Sequence, residues 1–209
     1  MRLLILKRLS LFFYLLLFIL PSLKLWAVAE IGASFSYSKQ IYGEQKQNNV
    51  VSRTYSASMA VYLFKYTGIE LNYSNTTDIV TENNRVLFSN GVYIVGVQSR
   101  VNSRIYGVGL RQALAAFRAF IVPVISVGRA REFKTGSTDY TFEYQNTRAT
   151  ITYDTAKTQH DVMFCGLMLK INLTRLFSIT GQVKSSFKAN EFNEAKSNLH
   201  YEAGFSWTL

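Results

Sequence analysis

The feature that most constrains this chain is alternation. In its last eleven residues Leu199, Tyr201, Ala203, Phe205, Trp207 and Leu209 occupy every second position. His200, Glu202, Gly204, Ser206 and Thr208 fill the places between. Side chains on a strand point alternately to its two faces, so period two with a sharp apolar/polar division marks a strand with two chemically different sides. The same pattern sets Ile31, Ala33, Phe35 and Tyr37 against Gly32, Ser34 and Ser36. It sets Tyr55, Ala57, Met59, Val61 and Leu63 against Ser56, Ser58 and Ala60, and Ile69, Leu71 and Tyr73 against Glu70 and Asn72. Further candidates run over 105–111, 117–128, 162–171 and 177–187. The expectation is eight strands.

The connections supply a second rhythm. Lys65 to Thr67, Gln112 to Ala116 and Asn172 to Arg175 are tight, whereas Ser38 to Arg53, Ser74 to Asn102, Ala130 to Gln159 and Lys188 to Asn198 are long and polar. Short and long alternate strictly, which places all short turns at one end of a sheet and all long segments at the other. Transmembrane barrels have this asymmetry. Some long segments have strand character of their own. Val86 to Tyr93 carries Asn90-Gly91 between β-prone runs, a type I′ hairpin signal. Asp139 to Tyr144 and Arg148 to Tyr153 flank Asn146 in a similar way, so ten strands is the alternative count.

The first thirty residues read differently. Arg2, Lys7 and Arg8 precede an almost wholly apolar stretch from Leu9 to Leu20, and Ala27-Val28-Ala29 forms an A-x-A site before Glu30. That is the layout of a cleavable secretory signal, over residues 1–29, leaving 30–209 as the barrel domain. The uncharged run is short for a spanning helix, which wants about 20 apolar residues. Loss of this leader removes four basic and no acidic residues, so the formal charge falls from +10 to +6. The remaining basic residues are scattered, and a nucleic-acid stripe is not expected. One cysteine excludes an internal disulfide.

Alternation alone leaves open which face is inside. The polar faces carry small hydroxyl and amide residues with isolated charges, and a barrel of about eight strands is just wide enough to be filled by such side chains. Tyr37, Tyr55, Tyr73, Tyr106, Tyr201 and Trp207 fall near strand ends, as interfacial aromatics do. These features indicate an apolar exterior and a polar lumen. With the leader, the eight segments and the terminal Tyr201-x-x-x-Phe205-x-Trp207-x-Leu209 strand, the chain resembles the small outer-membrane β-barrels of Gram-negative bacteria, represented by outer-membrane proteins A, X and W. The resemblance covers the whole mature chain. It implies an all-β, eight-stranded antiparallel up-and-down transmembrane barrel in the bacterial outer membrane, and a terminal strand read by the barrel assembly machinery. Family members usually end on an aromatic residue, whereas here the aromatic stands two places early at Trp207. Pro123, inside the fifth strand, lacks a ladder donor and predicts a bulge or break there. Gln112 to Phe120 also reads as a short helix.

Candidate functional residues follow from the faces. Glu70, Arg111, Lys170, Lys184 and Glu202 all fall on the lumen side, and buried charge must be paired. They predict a salt-bridged interior, closed or rearranging to a narrow pore, with Arg111 and Lys170 near turns where water is the other partner. His200, Glu202 and Ser206 offer a base, a carboxylate and a hydroxyl for acyl transfer. The resemblance makes a lipid A deacylase or acyltransferase the enzyme alternative. Ser206 lies four residues beyond Glu202, however, too far along one strand for contact at about 3.3 Å per residue, so a hydrogen-bonded lumen is the plainer reading. Arg129, Arg131, Lys134 and Arg148 are candidates for contact with lipopolysaccharide. His160, Asp161, Asp154 and Cys165 lack metal-ligand spacing, and no cofactor is expected. Cys165 shares the outward face of Met163, Leu167, Leu169 and Ile171. A soluble periplasmic barrel with a hydrophobic ligand is the third reading. Oligomeric state is not legible.

Overall fold

The computed structural model describes residues 28–43, 46–89, 91–188 and 198–209. The leader up to residue 27 lies outside the described residues, as do Asn90 and most of the Lys188 to Asn198 segment. Nine strands follow in order: β1 (Val28–Tyr42), β2 (Asn48–Tyr62), β3 (Thr67–Glu82), β4 (Val86–Ser89), β5 (Val92–Ala113), β6 (Ile121–Tyr144), β7 (Thr147–Asn172), β8 (Phe177–Lys188) and β9 (Leu199–Thr208). No helix interrupts them among the described residues. Each strand pairs antiparallel with its neighbour, β9 returns to β1, and β3 pairs with β5. The sheet therefore closes on itself through eight strands, and β4 is a short addition hydrogen-bonded to the far end of β5. Closure removes every free edge over the height where all eight strands pair.

The stagger can be read from the pairing. From Ile31, one route passes through Met59, Leu71, Val108, Arg129 and Met163 to Phe187 on β8. The other passes through Trp207 to Phe177, ten residues away on the same strand. A ten-residue stagger over eight strands tilts them by about 40° at ~3.3 Å per residue and ~4.8 Å between strands.

Alternation sorts the faces as expected. Ile31, Tyr55, Leu71, Val108, Leu167, Tyr201 and Phe205 point outward and are exposed, as is Cys165. Glu30, Ser56, Glu70, Arg111, Ser126, Lys170, Thr180 and Glu202 point inward and are buried. Val28 and Ala29, within the expected leader, are paired in β1 with Tyr62 and Val61, and Ala29 O accepts from Leu209 N at 2.8 Å.

Three expectations change. First, most of the long polar segments are strand. β6 has 24 residues and β7 has 26, and they meet in a two-residue turn, Gln145-Asn146, with Tyr144 paired to Thr147. Both turn residues have positive φ, 45° and 66°, as a type I′ turn requires. These segments hid from the alternation signal because both faces of upper β7 are wet: residues 147–159 are exposed throughout. They prolong existing strands, so the barrel keeps eight. Second, Pro123 causes no break. It pairs in register with Leu169, and its carbonyl accepts from Leu114 N at the last rung between β5 and β6. In an antiparallel rung a residue's N–H and C=O point to the same neighbour. The donor that proline lacks would therefore have faced Leu114, where the ladder ends anyway. Third, 114–120 is neither helix nor strand. It is a turn whose Phe117 packs edge-on against Tyr62 at 4.6 Å, and Asn172 Nδ2 donates to the carbonyls of Phe117 and Ala119.

Candidate functional site: the barrel lumen

The lumen is layered from the short-turn end upward. At the bottom Ala60, Tyr62, Ala113, Val122, Val124 and Met168 form an apolar floor, with Phe117 folded against it. Immediately above lies an ion cluster. Arg111 binds Glu70 through Nε and Nη2 at 3.1 and 2.9 Å, a bidentate arrangement in which the planar guanidinium matches the carboxylate. Its Nη1 reaches Glu30 Oε1 at 3.2 Å, and Glu30 Oε2 accepts from Lys170 Nζ at 2.6 Å. Ser58 accepts from Arg111, Asn72 donates to Glu70, and Lys170 also donates to Thr208. Two cations and two carboxylates thus neutralise one another with additional polar partners, which is what makes such burial tolerable.

Of the sequence-predicted set, this cluster brings together Glu70, Arg111 and Lys170. The alternative to a salt-bridged interior, with Arg111 and Lys170 in water at turn ends, does not hold. Their side chains are 1% and 2% exposed, because the 114–120 turn and the apolar floor lie between them and solvent. Sequence reasoning missed Glu30, which links the two cations. It alternates correctly with Ile31, but the A-x-A pattern beside it drew it to the leader boundary.

Glu202 belongs to a separate layer. Its Oε1 accepts from Ser56 at 3.1 Å, and its Oε2 accepts from Ser34 and from Gln182 Nε2, the latter at 2.7 Å. The carboxylate is held by neutral donors. Lys184 forms no ion pair with it within 4.0 Å among the described residues, so the expected five-residue network divides. His200, Glu202 and Ser206 do not converge either. His200 stands opposite Lys184, Glu202 opposite Gln182, and Ser206 opposite Ser178, with the Glu202 oxygens occupied. Ser206 Oγ and Tyr62 Oη are buried without a hydrogen-bond partner among the described residues.

Higher in the lumen, Phe164 lies over Gly107, Gly109 and Gly128. A Cβ on Gly128 would stand 2.6 Å from the Phe164 ring and 2.4 Å from Val108 O, so only glycine leaves room for the ring. A space of about 480 Å³, counting the part open to solvent, remains beside it, lined by residues that include Thr54, Asn72, Ser74, Lys184, His200 and Glu202.

The basic candidates for lipopolysaccharide contact separate. Arg131 meets Asp161 at 3.1 Å, Lys134 meets Glu132 at 3.1 Å, and Arg148 shares Glu143 with Arg85 at 3.0 Å each. Arg129 is exposed on the outward face of β6 between Val108 and Met163. Sequence reasoning missed Lys39, Arg53 and Arg104, which are exposed on outward faces close to the tyrosines. Arg53 pairs with Tyr37 and lies 5.9 Å from its ring centre, and Arg104 stands opposite Phe133, one outward position from Tyr106.

A closed sheet has an apolar outer belt, aromatic rims and a charged interior. This polarity is opposite to that of a soluble carrier of hydrophobic ligands, and it satisfies every backbone group in lipid. The architecture is that of a transmembrane barrel.

No family model matches the chain, and no curated protein matches it. Among solved structures it is similar to the N-terminal β-barrel domain of Pseudomonas aeruginosa OprF, at 12% identity over 87% of this chain and 97% of that one, with a TM-score of 0.46. It is also similar to Ail, the attachment invasion locus protein of Yersinia pestis, at 10% identity, 88% and 97% coverage and a TM-score of 0.43. Neisserial surface protein A is similar at 6% identity, 87% and 96% coverage and a TM-score of 0.34.

Proposed function

We propose that this chain is an integral outer-membrane barrel with a closed lumen, whose working surfaces are its outer collar and its projecting hairpins. The observation that carries this reading is the stacking of an apolar floor, a neutral ion cluster and the Glu202 layer across the lumen, inside a wall that is apolar outward. Such a core supports a structural or interaction role over a standing pore. Arg129, joined by Lys39, Arg53 and Arg104, forms a basic collar beside the tyrosines. Phosphates of lipopolysaccharide are the anions available at that height. Arg131, Lys134 and Arg148, each held by a carboxylate, contribute less. The outward aromatic face of β9 is the element offered to the barrel assembly machinery.

Cell fractionation tests the placement. Recovery in the outer membrane with heat-modifiable gel mobility is expected, and release with soluble periplasmic proteins would overturn it. Planar-bilayer recording tests the closed lumen, with no sustained unitary current expected. For the collar, Arg104→Ala combined with Arg129→Ala is expected to weaken co-purification of lipopolysaccharide several-fold, with barrel folding retained.

A further inference from the structure

Above Val162, the last residue of β7 to pair with β8, β7 has β6 on one side and no strand on the other among the described residues. The segment 189–197 starts from Lys188, opposite Val162, and has to return to β9. Half its length, at about 3.4 Å per residue, takes it no further along β7 than the level of Lys157. Residues 147–155, between the turn and the register shift near Lys134, therefore form a free edge, exposed at every position and without proline, glycine or lysine. Such an edge is a template for another strand. Across the two-residue turn Thr147 bonds to Tyr144, so by alternation the N–H and C=O groups of Arg148, Thr150, Thr152 and Asp154 face the open side. The edge is also complementary to itself. Outward from Ile151 in both directions, Thr150 answers Thr152, Ala149 answers Tyr153, Arg148 answers Asp154 and Thr147 answers Thr155.

We propose that the 147–155 edge pairs with the same edge of a second copy, antiparallel and centred on Ile151. This deepens, and rests on, the interaction role given to the projecting hairpins. In that register all the outward backbone groups find partners, and Arg148 faces Asp154 twice on one side of the new sheet. On the other side Ile151 meets Ile151, with Tyr153 against Ala149. A shift by two residues either way keeps the backbone bonds in phase but sets Arg148 against Thr152 or Ala156, so charge selects the register. Arg85 and Arg148 share Glu143, a group with net positive charge, and Asp154 forms no ion pair among the described residues. Antiparallel pairing of one strand with itself turns the second barrel over, so the two barrels stand tip to tip in two apposed membranes. A single strand pair is a small interface, and many such contacts between two membranes act together.

Ile151 falls at the centre on a non-hydrogen-bonded rung, where facing Cα atoms are about 4.5 Å apart, within reach of a disulfide. The full barrel, with Cys165→Ser to remove the native thiol, would be placed one copy per lipid nanodisc and oxidised with copper phenanthroline. Ile151→Cys is expected to link pairs of discs at least tenfold faster than Tyr153→Cys, whose thiols stand four residues out of register. Mixing Tyr153→Cys with Ala149→Cys is expected to restore the fast rate. In the Ile151→Cys background, Arg148→Asp is expected to slow the reaction several-fold and the further change Asp154→Arg to restore it. The exchange does not rebuild the Arg148 contact with Glu143, so recovery reports the contact between copies. Heat-modifiable mobility checks that each variant folds. Equal rates for Ile151→Cys and Tyr153→Cys, or no recovery in the charge exchange, with the folded band retained, would overturn the pairing and leave the barrel reading in place. A chain that does not enter the discs would overturn the barrel reading, and the pairing with it.

Discussion

Arg111 shows how one side chain organises the lower lumen. It is 1% exposed and joins β5 to β1, β2 and β3 through Glu30, Ser58 and Glu70. Removing it strands two carboxylates with only Lys170 to answer them. Arg111→Met is expected to destabilise the barrel by about 3–5 kcal/mol, the scale for breaking a buried pair from one side. Urea unfolding in lipid vesicles measures this. A triple variant, Arg111→Met with Glu30→Gln and Glu70→Gln, is expected to recover part of the loss, because no uncompensated charge remains. At Gly128 the argument is steric. An added methyl meets backbone oxygen and the Phe164 ring, so Gly128→Ala is expected to cost about 1–3 kcal/mol, measured in the same titration. The lumen placement of Glu70, Arg111, Lys170, Lys184 and Glu202 was legible because alternation fixes the face. Their partners were not, since which inward residues meet depends on the stagger between strands that are distant in sequence.

Among the elements, the β6–β7 hairpin stands apart. Its upper rungs, from Gly136 paired with Thr155 to Tyr144 paired with Thr147, lie beyond a register shift near Lys134 and beyond the last β8 partner of β7 at Val162. Those rungs hold together by backbone pairing, cross-strand contacts such as Tyr140 with Tyr153 and the Gln145-Asn146 turn, and the β6 arm also pairs with β5, from Asn102 against Thr135 to Tyr93 against Glu143. Shortening the hairpin by joining Thr135 to Ala156 through Asn-Gly is therefore expected to leave folding and heat-modifiable mobility intact. Loss of the folded band would show that the extension supports the barrel. A gentler change, Gln145→Asn with Asn146→Gly, suits both positive-φ positions and is expected to leave stability unchanged or raise it slightly. The sequence located this turn around Asn146 and read 139–144 and 148–153 as a possible additional pair of strands, but it did not show them as continuations of the strands that form the barrel wall. Apolar alternation reports a difference between two environments, and above the lipid there is only one. Pro123 misled for the opposite reason: composition marks the missing donor but not the neighbour it would have faced.

At the scale of the whole molecule, the eight strands, their tilt and the polarity of their faces act together. A wall that is apolar outward leaves every charged group to the lumen, the rims or the extensions, and the lumen then requires mutual neutralisation. The Glu30, Glu70, Arg111 and Lys170 cluster is that requirement met with a net charge of zero. The wall was legible from sequence almost residue by residue; the plug was not, because Phe117 and the turn that carries it obey no period. The pairing of β1 with β9, Ile31 against Trp207 and Phe35 against Ala203, has a temporal meaning as well. The first strand of the barrel finds its second neighbour only in β9, which is made after the other strands of the barrel. Until that final segment arrives, every earlier strand belongs to an open ribbon with two unpaired margins. The cylinder is thus sealed only once β9 is present, and a chain interrupted anywhere short of β9 has no seam with which to close.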